Sequence, residues 1–161
     1  MVDVRTDVET AFRPAREADL AAIVGLLADD ELGQGREDPR LPLAAAYHDA
    51  FRAIAADPYQ LLAVATRGNE VIGTLQLTFI PGIARMGTWR GQIEAVRIAA
   101  QHRGSGLGER MFAWAIAQCR ARGCGLVQLT TDRTRPDAHR FYEKLGFVAS
   151  HVGYKLQLTP S

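Results

Sequence analysis

The feature that most limits what this chain can be is Arg103-Gly104-Ser105-Gly106-Leu107-Gly108, a run of alternating glycines between a strand-like stretch and a strongly helical one. Glycine loses more backbone freedom on folding than any other residue, so three at alternate positions are costly unless the bare backbone is used. With no side chains in the way, the amides of such a turn converge on one point and make a nest for an anion. A helix begins at the same place, and its unpaired amides and positive dipole end add to the attraction for a phosphate or diphosphate. A helix start that merely needs flexible residues is the plainer reading, and anion binding is favoured over it.

The rest of the chain organises around this turn. A strand over residues 92–99 feeds it. The helix that follows has Leu107, Met111, Phe112, Ala115, Ile116 and Cys119 on one stripe and closes at Gly123 and Gly125. A strand over 126–131 comes next. Thr134 with Asp137 three residues on resembles a capping box, Pro136 suits a first turn, and Gly146 ends a short helix. Upstream, the pattern predicts a strand over 11–14, a helix from 20 to about 29, a charged Gly- and Pro-bearing loop over 29–42, and a helix over 43–56 with Tyr47, Phe51 and Ile54 on one face. Strands over 61–66 and 70–80 are joined by Gly68-Asn69, a two-residue hairpin turn. Residues 147–158, interrupted by Gly153, read as one or two final strands. This order predicts an α/β fold: a mixed, mostly antiparallel sheet flanked by helices, with a right-handed βαβ unit carrying the anion turn. Residues 1–161 are expected to form a single domain with 1–10 frayed.

Composition excludes several classes. At 161 residues and 47% apolar, the chain can bury one real core. Nineteen basic against eighteen acidic residues leave a formal charge of +1, no broad footprint for a nucleic-acid backbone, so no nucleic-acid partner is expected. No apolar run approaches the ~20 residues of a membrane span, and the first ten residues carry no apolar leader, which predicts a cytoplasmic protein without membrane attachment. Cys119 and Cys124 are too few for a disulfide framework and lack a second ligand pair, and His48, His102, His139 and His151 do not complete a site, so no metal is expected.

Three anion motifs compete for the turn. A Walker loop needs Lys and Ser/Thr after its last glycine, and Glu109-Arg110 excludes it. A dinucleotide fingerprint needs glycine where Glu109 stands; Asp132 after the next strand would suit a ribose, so this remains a weaker alternative. The pattern Arg/Gln-x-x-Gly-x-Gly/Ala is met by Arg103, Gly106 and Gly108. In these residues the chain resembles the GNAT superfamily of N-acetyltransferases. The likeness extends upstream to Glu94-Ala95-Val96-Arg97-Ile98 and downstream to Asp137-Ala138-His139-Arg140-Phe141-Tyr142-Glu143-Lys144-Leu145-Gly146-Phe147. Specific matches cover 92–158, and the first 80 residues agree only in element order. The pattern Asp-Ala-His-Arg-Phe-Tyr is similar to small-molecule members such as aminoalkylphosphonate acetyltransferases. Arg135 departs from the family, many of whose members carry Asn there.

The resemblance implies acetyl-CoA as cosubstrate, with its diphosphate on Arg103, Gly104, Ser105, Gly106, Leu107 and Gly108 and its pantetheine arm along Val96 and Ile98. It implies direct transfer, in a ternary complex, to the primary amine of a small molecule, and a homodimer. It also implies that Tyr142 gives a proton to the departing thiolate; a phenol of pKa about 10 keeps that proton at neutral pH. Read from the residues alone, Tyr142 belongs to a core stripe with Ala138, Phe141 and Leu145. Strand alternation puts Glu94 with Val96 and Ile98 and opposite to Arg97. Desolvation there would raise its pKa and suit it to act as a general base; a solvated strand-end carboxylate is the equal alternative. His139, Arg133, Arg135, Arg140 and Lys144 read as surface, and Asp29, Asp30, Glu31, Glu37 and Asp38 would attract a cationic amine or, diluted by Arg36 and Arg40, simply keep the loop soluble. A silent acetyl-CoA sensor or scaffold of the same fold is the opposing reading.

Overall fold

The computed structural model describes residues 9–159. Five strands, β1 (Thr10–Pro14), β2 (Gln60–Arg67), β3 (Glu70–Ile80), β4 (Arg90–Ile98) and β5 (Leu126–Leu129), form one sheet in chain order. The first four are antiparallel and β5 is parallel to β4. Gly68-Asn69 makes the expected hairpin: Arg67 pairs with Glu70, and Gly68 supplies the positive φ of 60° that such a turn requires.

Helices α1 (Leu20–Ala28) and α2 (Ala45–Ala56) pack against β2, β3 and β4. Asp19, buried before α1, accepts the Arg13 guanidinium at 2.7 and 3.0 Å and the Arg16 amide at 2.7 Å, which ties β1 to the helix. A single turn, α3 (Ala84–Gly87), leads into β4, and Arg85 and Met86 within it are left-handed. Helix α4 (Leu107–Ala121) lies on the β4 side of the sheet, and α5 (Pro136–Lys144) follows β5. The alternation of β3 sends Leu75, Leu77 and Phe79 into one core with Met111, Phe112, Ala115 and Cys119 of α4. Each of the larger side chains contributes about 1.5–3 kcal/mol by leaving water. Gly91 shows how close α4 lies: a Cβ there would fall 2.3 Å from Cys119 Sγ, so only glycine fits beneath the helix.

Four expectations change. Thr10 belongs to β1 and not to a frayed start, while residues 1–8 of that start lie outside the described residues. The strand after α4 stops at Leu129. The Thr134–Asp137 capping box does not form. Instead Asp132 Oδ1 accepts the Thr134 amide at 2.9 Å and its hydroxyl at 2.6 Å, a tighter local turn that leaves Arg135 at the start of α5 with no side-chain cap. Residues 147–158 form no strand: Val148, Val152, Tyr154, Leu156 and Leu158 are all exposed. An alternating pattern becomes a strand only when it docks on an edge, and among the described residues this segment docks on neither free edge of the sheet, β1 or β5. No helix among the described residues is long and apolar enough to cross a membrane.

Candidate active site

The site begins with an irregularity in β4. Gln76 pairs with Glu94 and Thr74 with Arg97, so three steps of β4 oppose two of β3, and Ala95 takes up the extra residue at φ 52°. The bulge reverses the parity expected from simple alternation. Glu94 and Arg97 share the face of Thr74 and Gln76, rather than pointing to opposite sides. Glu94 is exposed, so the desolvation expected to prepare it as a base is absent. The same strand loses its other neighbour: β5 pairs only with Arg90–Ile93, and from Glu94 onwards that edge of the sheet is open. On this segment the Val96 carbonyl accepts Arg97 Nη1 at 2.9 Å, and the Ile98 carbonyl accepts Arg103 Nε at 3.2 Å.

Beyond the open edge the glycine turn enters α4. Gly104 and Gly106 adopt φ of 73° and 77°, and a Cβ on either would meet nothing within 4 Å, so the turn faces open space. The Arg110 amide is the first to bond back, to the Gly106 carbonyl at 3.2 Å, which leaves the preceding amides without helical acceptors. Over the turn lies a cleft of about 370 Å³. Val96 and Ile98 form one wall, Arg103, Gly104, Gly106 and Gly108 the end, and Phe112, Phe141 and Tyr142 the other wall. The residues fit a diphosphate at one end and an extended apolar-flanked arm along β4. Two expected residues turn away from the cleft: the Ser105 hydroxyl donates to the His102 carbonyl at 2.6 Å, and the Leu107 side chain is buried in the core. Phe112, Phe141 and Glu109, which also lines the cleft, were visible in the sequence only as helix periodicity.

Tyr142 stands between the core and the cleft. Its ring packs against Phe112 and Phe141 at 5.6 Å and Phe147 at 6.2 Å, and the same residue borders the cleft. Burial pushes its pKa above the ordinary 10, while the charges of Arg135 and Arg97 pull against the rise.

On the other face a smaller hollow of about 120 Å³ opens between α1, α2 and the sheet. Its walls are apolar, with Ile23, Val24 and Phe51 prominent, and Thr74, Gln76 and Ala95 belong to its strand side. The acidic loop beside it differs from the sequence expectation of free attracting charges. Asp30 accepts Arg135 Nη2 at 2.6 Å on both oxygens and Arg97 Nη2 at 3.2 Å. Asp29 faces Arg103 at 3.6 Å, Tyr47 donates to Glu37 at 2.8 Å, and Asp38 holds Arg40. Burial pushes the Asp30 carboxyl up, but the Arg135 bond and the charges of Arg97, Arg135 and Arg103 together hold it below the ordinary value. On α5, Arg140 is paired with Asp137 and Lys144 with Glu109, and His139 Nε2 lies 3.1 Å from the Asp132 carbonyl. These are exposed structural contacts, as their sequence pattern suggested.

The model of the acetyltransferase (GNAT) family matches residues 22–147, from α1 to just past α5. The chain belongs to the GNAT family of N-acetyltransferases. Its members use acetyl-CoA as the acetyl donor. The chain is 34% identical over 109 residues to the aminoalkylphosphonate N-acetyltransferase of Salmonella typhimurium, covering 68% of this chain and 70% of that one. Among solved structures it is similar to a transcriptional regulator from Bacillus halodurans C-125, with a TM-score of 0.91, 47% identity, and coverage of 93% of this chain and 100% of the other. A putative acetyltransferase from Agrobacterium tumefaciens follows at TM-score 0.80 and 29% identity, over 91% of this chain and 99% of its own.

Proposed function

We propose that residues 1–161 form a single cytoplasmic N-acetyltransferase domain that moves an acetyl group from acetyl-CoA directly to a primary amine of a small molecule. The observation that carries this reading is one cleft that joins the glycine nest, the open edge of β4 and Tyr142. Arg103 and the amides around Gly104, Gly106 and Gly108 would hold the diphosphate, and Val96 and Ile98 the pantetheine arm. Glu94, exposed on the acceptor face, takes the proton of the incoming ammonium directly or through water. The free amine attacks the thioester carbonyl, the N–C bond forms as the C–S bond breaks, Tyr142 gives its proton to the departing sulfur, and the proton that the nitrogen sheds on becoming an amide returns through water to the phenolate. No step of this chemistry calls for a metal.

Release of free thiol across a panel of amines, polyamines, aminophosphonates and aminoglycosides tests the reading. Glu94→Gln is expected to lose rate chiefly on the acidic limb of the profile, where the acceptor is still an ammonium. An unchanged profile would give Glu94 a structural role. The structure described as a transcriptional regulator, at 47% identity, favours one second reading, a protein that senses acetyl-CoA without turnover. Tight acetyl-CoA binding with no acceptor among amines or protein peptides would support that instead.

The exposed apolar run containing Val152, Tyr154, Leu156 and Leu158 suits pairing with a second copy, and we expect a homodimer. Light scattering at micromolar concentration should give twice 17.6 kDa, and a clean 17.6 kDa species would remove the dimer.

A further inference from the structure

Around Asp30 the charges do not balance. Two half-buried guanidiniums, Arg97 and Arg135, share this one carboxylate, and Arg103 beside them is answered by Asp29. The two guanidiniums therefore have one carboxylate in contact between them, with Asp132 acting on Arg135 only at longer range, and Arg97 Nε is buried with no partner among the described residues. An unpaired buried donor is costly, and an arginine fork presents parallel N–H groups suited to the oxygens of a carboxylate or phosphonate.

The place of this cluster in the fold gives the imbalance a use. Arg97 lies between Val96 and Ile98 of the cofactor cleft and pairs across the sheet with Thr74 of the apolar hollow. Arg135 immediately precedes the helix that carries Tyr142, and Asp30 follows the helix that walls the hollow. The cluster thus stands where hollow and cleft meet. Through the bulge at Ala95, Glu94 and Arg97 occupy one face of β4, opposite residues two apart on β3, a spacing of about 7 Å along the strand.

We infer that Arg97 and Arg135 bind an acid group of the acceptor, a carboxylate or phosphonate, in the place that Asp30 now fills, and that the acceptor is a short zwitterion whose amine lies toward Glu94. The inference rests on the acetyl-transfer reading and names its substrate class. Asp30 is an internal stand-in for the substrate anion: it satisfies the two arginines while the site is empty and yields to an acid that engages both forks and the free Arg97 Nε. The apolar hollow next to it takes the hydrocarbon part of the acceptor.

Matched pairs of amines test this by thiol release: β-alanine against β-alaninamide, and 2-aminoethylphosphonate against its diethyl ester. The acids are expected to exceed their neutral partners by about 100-fold in kcat/KM, and the better of the two acids identifies the oxyanion preferred. Arg135→Gln should shrink the acid-over-neutral ratio by about tenfold, whereas Asp30→Asn, which removes the internal competitor, should lower KM for the acids. Thermal melting checks both variants. If Arg135→Gln does not fold, the wild-type ratio and Asp30→Asn still decide. Equal turnover of acid and neutral amines, or an acid preference that neither variant changes, overturns the inference and leaves acetyl transfer standing. Thiol release from no amine in the panel overturns both.

Discussion

Gly108→Glu is expected to remove acetyl-CoA binding and leave the fold in place. Gly108 lies in the first turn of α4 and borders the cleft. Its backbone is not left-handed, and an added Cβ would reach Phe141 at 3.4 Å, a ring edge that can yield by a few tenths of an ångström. The new carboxylate would enter the space in front of the unpaired amides and occupy them as an internal anion. Set about 4 Å from a phosphate oxygen at an effective dielectric of about 20, it would cost about 4 kcal/mol, roughly a thousandfold in affinity. Gly106→Glu should lose affinity similarly but also lose stability, because a φ of 77° strains any residue with a Cβ. Calorimetry with acetyl-CoA, beside a thermal melt, measures both quantities. A folded Gly108→Glu that still binds acetyl-CoA would take the turn out of the diphosphate site, and preferential binding of a nicotinamide dinucleotide would favour the weaker dinucleotide reading instead.

The second large effect is expected from Tyr142→Phe. The ring is held by Phe112, Phe141 and Phe147, contacts that phenylalanine keeps, so stability and acetyl-CoA affinity should change little. What disappears is the proton for the leaving sulfur, a contribution of about 10²–10⁴ in rate, and it should fall on kcat. The pH dependence carries a sign. Burial raises the phenol pKa above the ordinary 10, so the acid form persists through the neutral range and the alkaline fall in kcat belongs above pH 10. That limb should vanish in the variant. Wild-type turnover by Tyr142→Phe would return the residue to packing alone.

The sequence by itself determined the parts of this protein that depend on neighbours a few residues apart. The glycine turn, the stripe of α4, the Gly68-Asn69 hairpin and the order of elements from β1 to α5 are all local, because backbone conformation and periodicity are set over one or two turns of chain. The motif resemblance, read over residues 92–158, rests on the same short-range information, and the family match over 22–147 bears out the family. The tertiary structure decided what depends on register and on partners distant along the chain. Strand alternation could not foresee the bulge at Ala95, which exists only in the pairing of β4 with β3 and turns Glu94 and Arg97 to one face. Nor could composition reveal that Asp30 is held by Arg135, 105 residues away, rather than offered to solvent. The alternating pattern of 147–158 pairs with no strand although the outer edges of β1 and β5 are free, so it stays extended and exposed. In each case the deciding term is the same: a strand's face, a charge's partner and an edge's occupancy are properties of how separate segments meet, and the local preferences of a chain leave those meetings open.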